Sequence, residues 1–178
     1  MQAWDELYIE LAEKAAEIEG IKWVDLWHNQ VGFLEEEHAF PAPAIFLAFR
    51  SLDIEDMAEL MQNVRLQVEV YLFYETFADT YKGAVNQQSA LSFLKMLTDI
   101  NVTFHGKTGN NYNEMRRVGF SAVDTGSTGN LYQVVFECTL LDETCKKVYH
   151  DAETEEIDIE RGIDDAVDED YQLPVFNG

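Results

Sequence analysis

The sequence predicts an α+β sandwich: a mostly antiparallel β-sheet with two main helices packed on one face. Three observations carry this. Two segments repeat apolar residues every three or four positions, as helices with one buried stripe do. At least three segments alternate apolar and polar residues with period two, as strands do. The order in which they occur, α-β-β-β-α-β-β, groups strands in runs, as in a mostly antiparallel sheet with helices on one face.

The first helix is read over residues 3–19, where Trp4, Leu7, Leu11, Ala15 and Ile18 form the stripe opposite Asp5, Glu6, Glu10, Glu13 and Glu17, and Gly20 supplies a stop. Residues 21–27 (IKWVDLW) read as a strand. A polar connection closed by Pro41 and Pro43 leads to AIFLAFR, residues 44–50, an unbroken apolar run suited to a central strand buried on both faces. Residues 52–63 read either as a short helix, with Ile54, Met57, Ala58 and Met61 on one side, or as an irregular excursion. The clearest strand is RLQVEVYLFYE, residues 65–75: Leu66, Val68, Val70 and Leu72 face one way, and Gln67, Glu69, Tyr71 and Phe73 the other. A second helix over 84–100 buries Ala90, Phe93, Leu94 and Leu97. Two further strands come after it, one with Val118, Phe120 and Ala122 in alternation, the other with Tyr132, Val134, Phe136, Cys138 and Leu140. The glycine-rich turn DTGSTGN, residues 124–130, joins them.

The chain has 178 residues and a formal net charge of −22. That charge argues against a nucleic-acid-binding surface, which needs clustered Lys and Arg. The acidity is uneven, because residues 151–170 hold eleven carboxylates and one arginine. This places a boundary near Tyr149–Asp151, with a domain over 1–150 and an acidic C-terminal tail or arm over 151–178. The tail does not read as an EF-hand: Asp158, Glu160 and Gly162 fall at the first, third and fifth places, and no glycine stands at the sixth. No apolar run approaches the roughly 20 residues that span a bilayer. The acidic start MQAWDELYIE is unlike a signal or transit peptide. The two cysteines, Cys138 and Cys145, make no disulfide framework, so reduced thiols and an intracellular protein are expected.

Motifs for chemistry fail on inspection. Gly106-Lys107-Thr108 ends like a phosphate-binding loop, but Asn101 stands where the first glycine is needed, and a helix precedes the loop where a strand should. FHGKTGNN, residues 104–111, therefore reads as a mobile loop leaving a helix. His28, His38, His105 and His150 are widely spaced, and Cys138 and Cys145 lack a metal-ligand spacing. Cys138 is expected inside as a small hydrophobe. No serine sits in a nucleophile elbow, and no carboxylate is singled out as an acid or base. Neither a catalytic residue nor a cofactor or metal site is expected.

Two polar features remain. Gln67, Glu69, Gln133 and Glu137 share the non-core sheet face with Tyr71, Phe73, Val135 and Leu141, a mixture found on solvated faces and on contact surfaces. His105, Lys107, Arg116 and Arg117 form a basic patch on an acidic chain, and pairing of such a patch with an acidic edge of another copy is electrostatically natural.

FPAPAIFLAF (residues 40–49), RLQVEVYLFYE, SALSFLKMLTDI (89–100) and the pair RRVGFSAVD and LYQVVFECTLLD, in this order after an N-terminal helix, resemble the tail terminator or tail completion family of long-tailed bacteriophages and prophages. The resemblance covers residues 1–143. It implies a non-enzymatic virion protein, assembled in the host cytoplasm, forming a ring, by analogy a hexamer, that caps the tail tube and joins tail to head. Its partners would be copies of itself, the tube protein and the head–tail connector, with DNA passing and not binding. In such a ring Glu69 and Glu137 would face or border the channel, where carboxylates repel phosphate, and His105, Lys107, Arg116 and Arg117 would contact a subunit or the tube. Two other classes fit the composition: an acidic DNA mimic that occupies a nucleic-acid-binding protein, and a ligand-binding or enzymatic α+β domain with no nameable site.

Overall fold

The computed structural model describes residues 3–33, 40–75, 80–124 and 130–148. The chain divides into the units Met1–Lys147 and Val148–Gly178, and the fold is that of the first. The acidic segment, His38, His150, the polar connection over 35–40 apart from Phe40, and most of the glycine-rich turn lie outside the described residues. Among the described residues no helix is long and apolar enough to cross a membrane.

The element order is α1 (Ala3–Ala16), β1 (Trp23–Leu26), β2 (Ala44–Asp56), β3 (Gln62–Tyr74), α2 (Gln87–Ala90), α3 (Ser92–Phe104), β4 (Arg116–Val123) and β5 (Asn130–Asp142), with 3₁₀ turns at Gln30–Phe33 and Ala58–Leu60. The strands form one sheet in the order β1-β2-β3-β5-β4. The β1–β2 pair is parallel and the other three are antiparallel. An α+β fold with its main helices on one face is thus what the chain adopts.

The helices cover one face because their stripes match it. Leu7, Leu11, Ala15 and Ile18 from the first helical segment join Phe93, Leu97, Ile100 and Phe104 of α3. Together they pack on Ile45 and Leu47 of β2, on Val64 to Leu72 of β3 at every second residue, and on Val134, Phe136, Cys138 and Leu140 of β5. Burial of side chains of this size contributes about 1.5–3 kcal/mol each relative to exposure, so this layer is the main core. Gly20 turns the chain after α1 with φ of +91°, and a Cβ there would lie 2.7 Å from Met96 Cε, so both conformation and space favour glycine.

Four expectations are corrected. Residues 52–63 do not form a short helix. β2 runs on to Asp56, turns at Ala58–Leu60 and returns as β3 from Gln62. The 3–4 spacing of Ile54, Met57, Ala58 and Met61 has no apolar layer to bury against, while β3 satisfies the β2 backbone directly, pairing Ile54 with Val64 and Glu55 with Asn63. AIFLAFR is buried only over Ala44–Leu47, where β1 flanks it, and the central strand of the sheet is β3. The second helix is displaced towards the C-terminus: it runs to Phe104, and Leu94 is half exposed while Ile100 and Phe104 are buried.

The fourth concerns the face turned away from the helices, whose upper half is a second core. Phe73, Tyr71, Ala44, Phe46 and Leu131 are buried there with Val31, under Trp27, Phe40 and Ala42. Trp27 stacks on Tyr71 with ring centroids 4.3 Å apart, and Phe40 meets Phe46 and Phe73 edge-on. Of the apolar residues expected on a mixed exposed face, Tyr71 and Phe73 therefore belong to a covered cluster, while Val135 is partly buried and Leu141 exposed as a mixed face requires. Packing of Trp27, Val31, Phe40 and Ala42 across the sheet decides this, and period-two alternation does not register it.

Candidate interaction surface

Register places the polar side chains in rows across the lower half of that second face. Ala48, Glu69, Val135 and Gly119 form one row, and Arg50, Gln67, Glu137 and Arg116 the next. Glu69 and Glu137 therefore share a face, as expected. Their surroundings differ. Glu69 accepts hydrogen bonds from Tyr71 Oη and Gln67 Nε2, both at 2.6 Å, and Gln133 Nε2 donates to Tyr71 Oη at 3.0 Å. Burial, and then the adjacent Glu69 carboxylate, hold the Tyr71 phenol above its usual pKa. Glu137 pairs with Arg65 at 2.9 Å and lies in a shallow groove with Arg116, Glu114 and Asn113. These rows are charge-mixed rather than purely acidic.

The four basic residues come together at one corner. His105 caps the C-terminus of α3, where the helix dipole favours cations and disfavours phosphate. Its Nδ1 accepts the backbone N–H of Arg117 at 3.0 Å. Gly106 and Lys107 exchange backbone hydrogen bonds with Met115 at 2.8 Å each. Strand alternation divides the arginines: Arg116 reaches the face carrying Glu137, and Arg117 the helix-side groove with Leu97, Asn101 and Phe120. The patch thus straddles the β4 edge instead of facing one way. Arg116 lies 3.7 Å from Glu114, whereas Lys107 makes no ion pair among the described residues.

The loop FHGKTGNN is not free. Its first residue ends α3, and its last residues are tied to α1. Glu10 accepts the Asn110 N–H at 2.9 Å and the Lys14 ammonium at 2.6 Å; Lys14 also donates to Tyr112 Oη at 2.8 Å; Asn111 Nδ2 donates to the Ala3 carbonyl at 2.7 Å. Burial acts to raise the Glu10 pKa, but the Asn110 N–H and Lys14 together outweigh it and hold the carboxyl below its ordinary value. Gly109 fits because a Cβ there would enter the Tyr112 ring and lie 2.6 Å from Glu10 Oε1. The segment 111–113 then lies alongside β5, with Asn113 N–H on the Thr139 carbonyl and Leu141 N–H on the Asn111 carbonyl. A turn this closely bonded presents its lysine without flexing around a phosphate.

Sequence reasoning missed one acidic feature. Asp53, Glu55, Asp56 and Glu59, all exposed, cluster on the β2–β3 arm beside Ile54 and Leu60, which are at least half exposed. The signal was the alternating run DIED continuing AIFLAFR, and the helix-like spacing of the methionines concealed it. Among the described residues no three His, Cys, Asp or Glu side chains converge as a metal site would require. Cys138 is buried, which pushes its thiol up to about 12, and Cys145 is exposed. Compared with known proteins, the chain matches no family model and no curated protein.

Proposed function

We propose that this chain is a structural ring subunit of a long-tailed phage, capping the tail tube and joining tail to head without performing chemistry. The observation that carries the reading is the two-helix α+β fold itself, in which the residues resembling the tail terminator family occupy the whole of one sheet and its helices. A sheet with a basic corner at one side and an acidic arm at the other suits head-to-tail association, the geometry that closes into rings. The net charge of −22 fits a passage for DNA, because carboxylates lower the affinity of a surface for phosphate. Glu69 and Glu137 border such a channel in this reading, with Glu137 partly balanced by Arg65 and Glu69 held by Tyr71 and Gln67.

Negative-stain imaging of the purified full chain tests it, with rings of about six copies expected on the cyclic-symmetry argument. A stable monomer that displaces DNA from a basic protein would establish the DNA-mimic reading instead. Lys107→Glu combined with Arg116→Glu should abolish ring formation and tail joining. Glu69→Lys with Glu137→Lys should leave rings intact and slow DNA passage. Unchanged behaviour of either pair removes that pair from the interface or the channel.

A further inference from the structure

The sheet has two edges that no strand covers among the described residues. On one side β1 pairs only with Ala44–Leu47, so the outer edge of β2 from Ala48 to Asp56 is open. On the other side β4 pairs with β5 alone. Its outer edge begins with the Arg117 N–H capped by His105 and is open from Val118 to Val123. Uncovered strand edges offer unpaired N–H and C=O groups and are templates for another strand.

The edges differ in charge and share an apolar component. β2 carries Asp53, Glu55 and Asp56 with Ile54, which is 50% exposed. β4 carries Arg116 and Arg117 with Val118 and Phe120, both 54% exposed. A β2 edge repels another β2 edge, and a β4 edge another β4 edge, whereas unlike edges attract. The charges that protect each edge from its own kind do not protect it from the other.

Direction and facing agree as well. Successive antiparallel pairings from β2 through β3 and β5 leave β4 antiparallel to β2. A second copy that continues the sheet in the same sense therefore sets β4 antiparallel to β2, with the arginine end of β4 beside the acidic end of β2. Ile54 pairs with Val64 and Phe120 with Val134, both on the helix-covered face. Arg117 pairs with Phe136 and Asp56 with Gln62 on that same face. Phe120 can thus lie beside Ile54 while Arg117 lies beside Asp56.

We propose that copies of this chain join head to tail through one continuous sheet, the Val118–Val123 edge of one copy pairing antiparallel with the Ala48–Asp56 edge of the next. This deepens the ring reading and rests on it for closure alone. The pairing uses backbone hydrogen bonds for strength and the arginine–carboxylate contacts for polarity, so only the heterologous arrangement is stable.

The test uses the full chain in a Cys145→Ser background, where Cys138 stays buried and unreactive. Ile54→Cys with Phe120→Cys, oxidised mildly, should give a disulfide-linked ladder ending at the ring size, while neither single cysteine variant goes beyond a dimer. In parallel, Arg117→Asp should weaken assembly at least about tenfold, the scale of one lost charge-assisted contact, and adding Asp56→Arg should restore it. If the chain carrying neither cysteine forms rings but the double variant gives no ladder, the edge pairing is wrong and the ring reading stands. If that chain does not associate at low ionic strength, both fail. A ladder replaced by efficient dimers of one single variant would show symmetric pairing and overturn the head-to-tail arrangement.

Discussion

Glu10 is the joint on which the α1–loop contact turns, and replacing it should cost more than a surface carboxylate normally does. Its side chain is 17% exposed and that of Lys14 29%, so solvent screens the pair only in part. Glu10→Ala removes the acceptor of the Asn110 N–H and the partner of Lys14, and leaves Lys14 with Tyr112 and a distant Thr108 carbonyl at 3.3 Å. A hydrogen bond to a charged group contributes about 1.5–3 kcal/mol, and an exposed ion pair about 0–1. A loss of about 2–3 kcal/mol is expected, read as a fall in the urea midpoint at unchanged m-value. Glu10→Gln keeps an acceptor for Asn110 and should lose about 1 kcal/mol, the ordinary worth of a neutral hydrogen bond. The pH dependence has a definite sign. Because the folded pKa of Glu10 lies below its unfolded value near 4.5, its stabilisation is complete above that value and disappears as pH falls through the folded pKa. The gap between the parent chain and Glu10→Gln should therefore narrow below about pH 4.5 on that linkage. A Glu10→Ala chain within 0.5 kcal/mol of the parent at pH 7, the usual scatter of surface substitutions (roughly ±0.5), would refute the claim that this node holds the loop.

Other expectations rest on neighbouring contacts. Gly109→Ala should destabilise the chain by about 1–3 kcal/mol, the range for overpacking, because the new methyl displaces the Tyr112 ring and the Glu10 carboxylate; a melting temperature equal to the parent's would contradict it. Cys138 has a folded pKa near 12 against an ordinary 9.0, so its contribution is whole below pH 9 and is lost as pH rises towards 12. At pH 10.5 the linkage amounts to about 2 kcal/mol, and Cys138→Ala should flatten the alkaline fall in urea stability even if its stability at pH 7 is lower. Trp27→Ala removes the ring stacked on Tyr71 and should cost about 3–5 kcal/mol as a large truncation in a covered cluster. A loss below about 1 kcal/mol in urea unfolding would mean that Trp27 does not seal the second core.

The local sequence determined the elements that bury one face against one core. α1 and β3 are placed by their own periodicity, since Leu7, Leu11, Leu66, Val68, Val70 and Leu72 are all fully buried as their spacing demands. β5 is as legible, with Val134, Phe136, Cys138 and Leu140 inward. The shared face of Glu69 and Glu137 also comes from alternation, because a strand fixes the side of each residue before it has a neighbour. What alternation does not contain is the identity of the neighbour. Whether the far face is open or covered depended on Val31 and Phe40 folding over Phe46 and Phe73. Whether residues 52–56 were helix or strand depended on the partner that β3 offered. Tertiary pairing alone placed Arg116 and Arg117 at one sheet edge and Asp53 to Asp56 at the other. The FHGKTGNN turn became a fixed corner through Glu10 and Ala3, about a hundred residues away in the chain. Those contacts are long-range, and the hydrogen bonds that decide them are supplied by residues whose proximity only the folded chain creates.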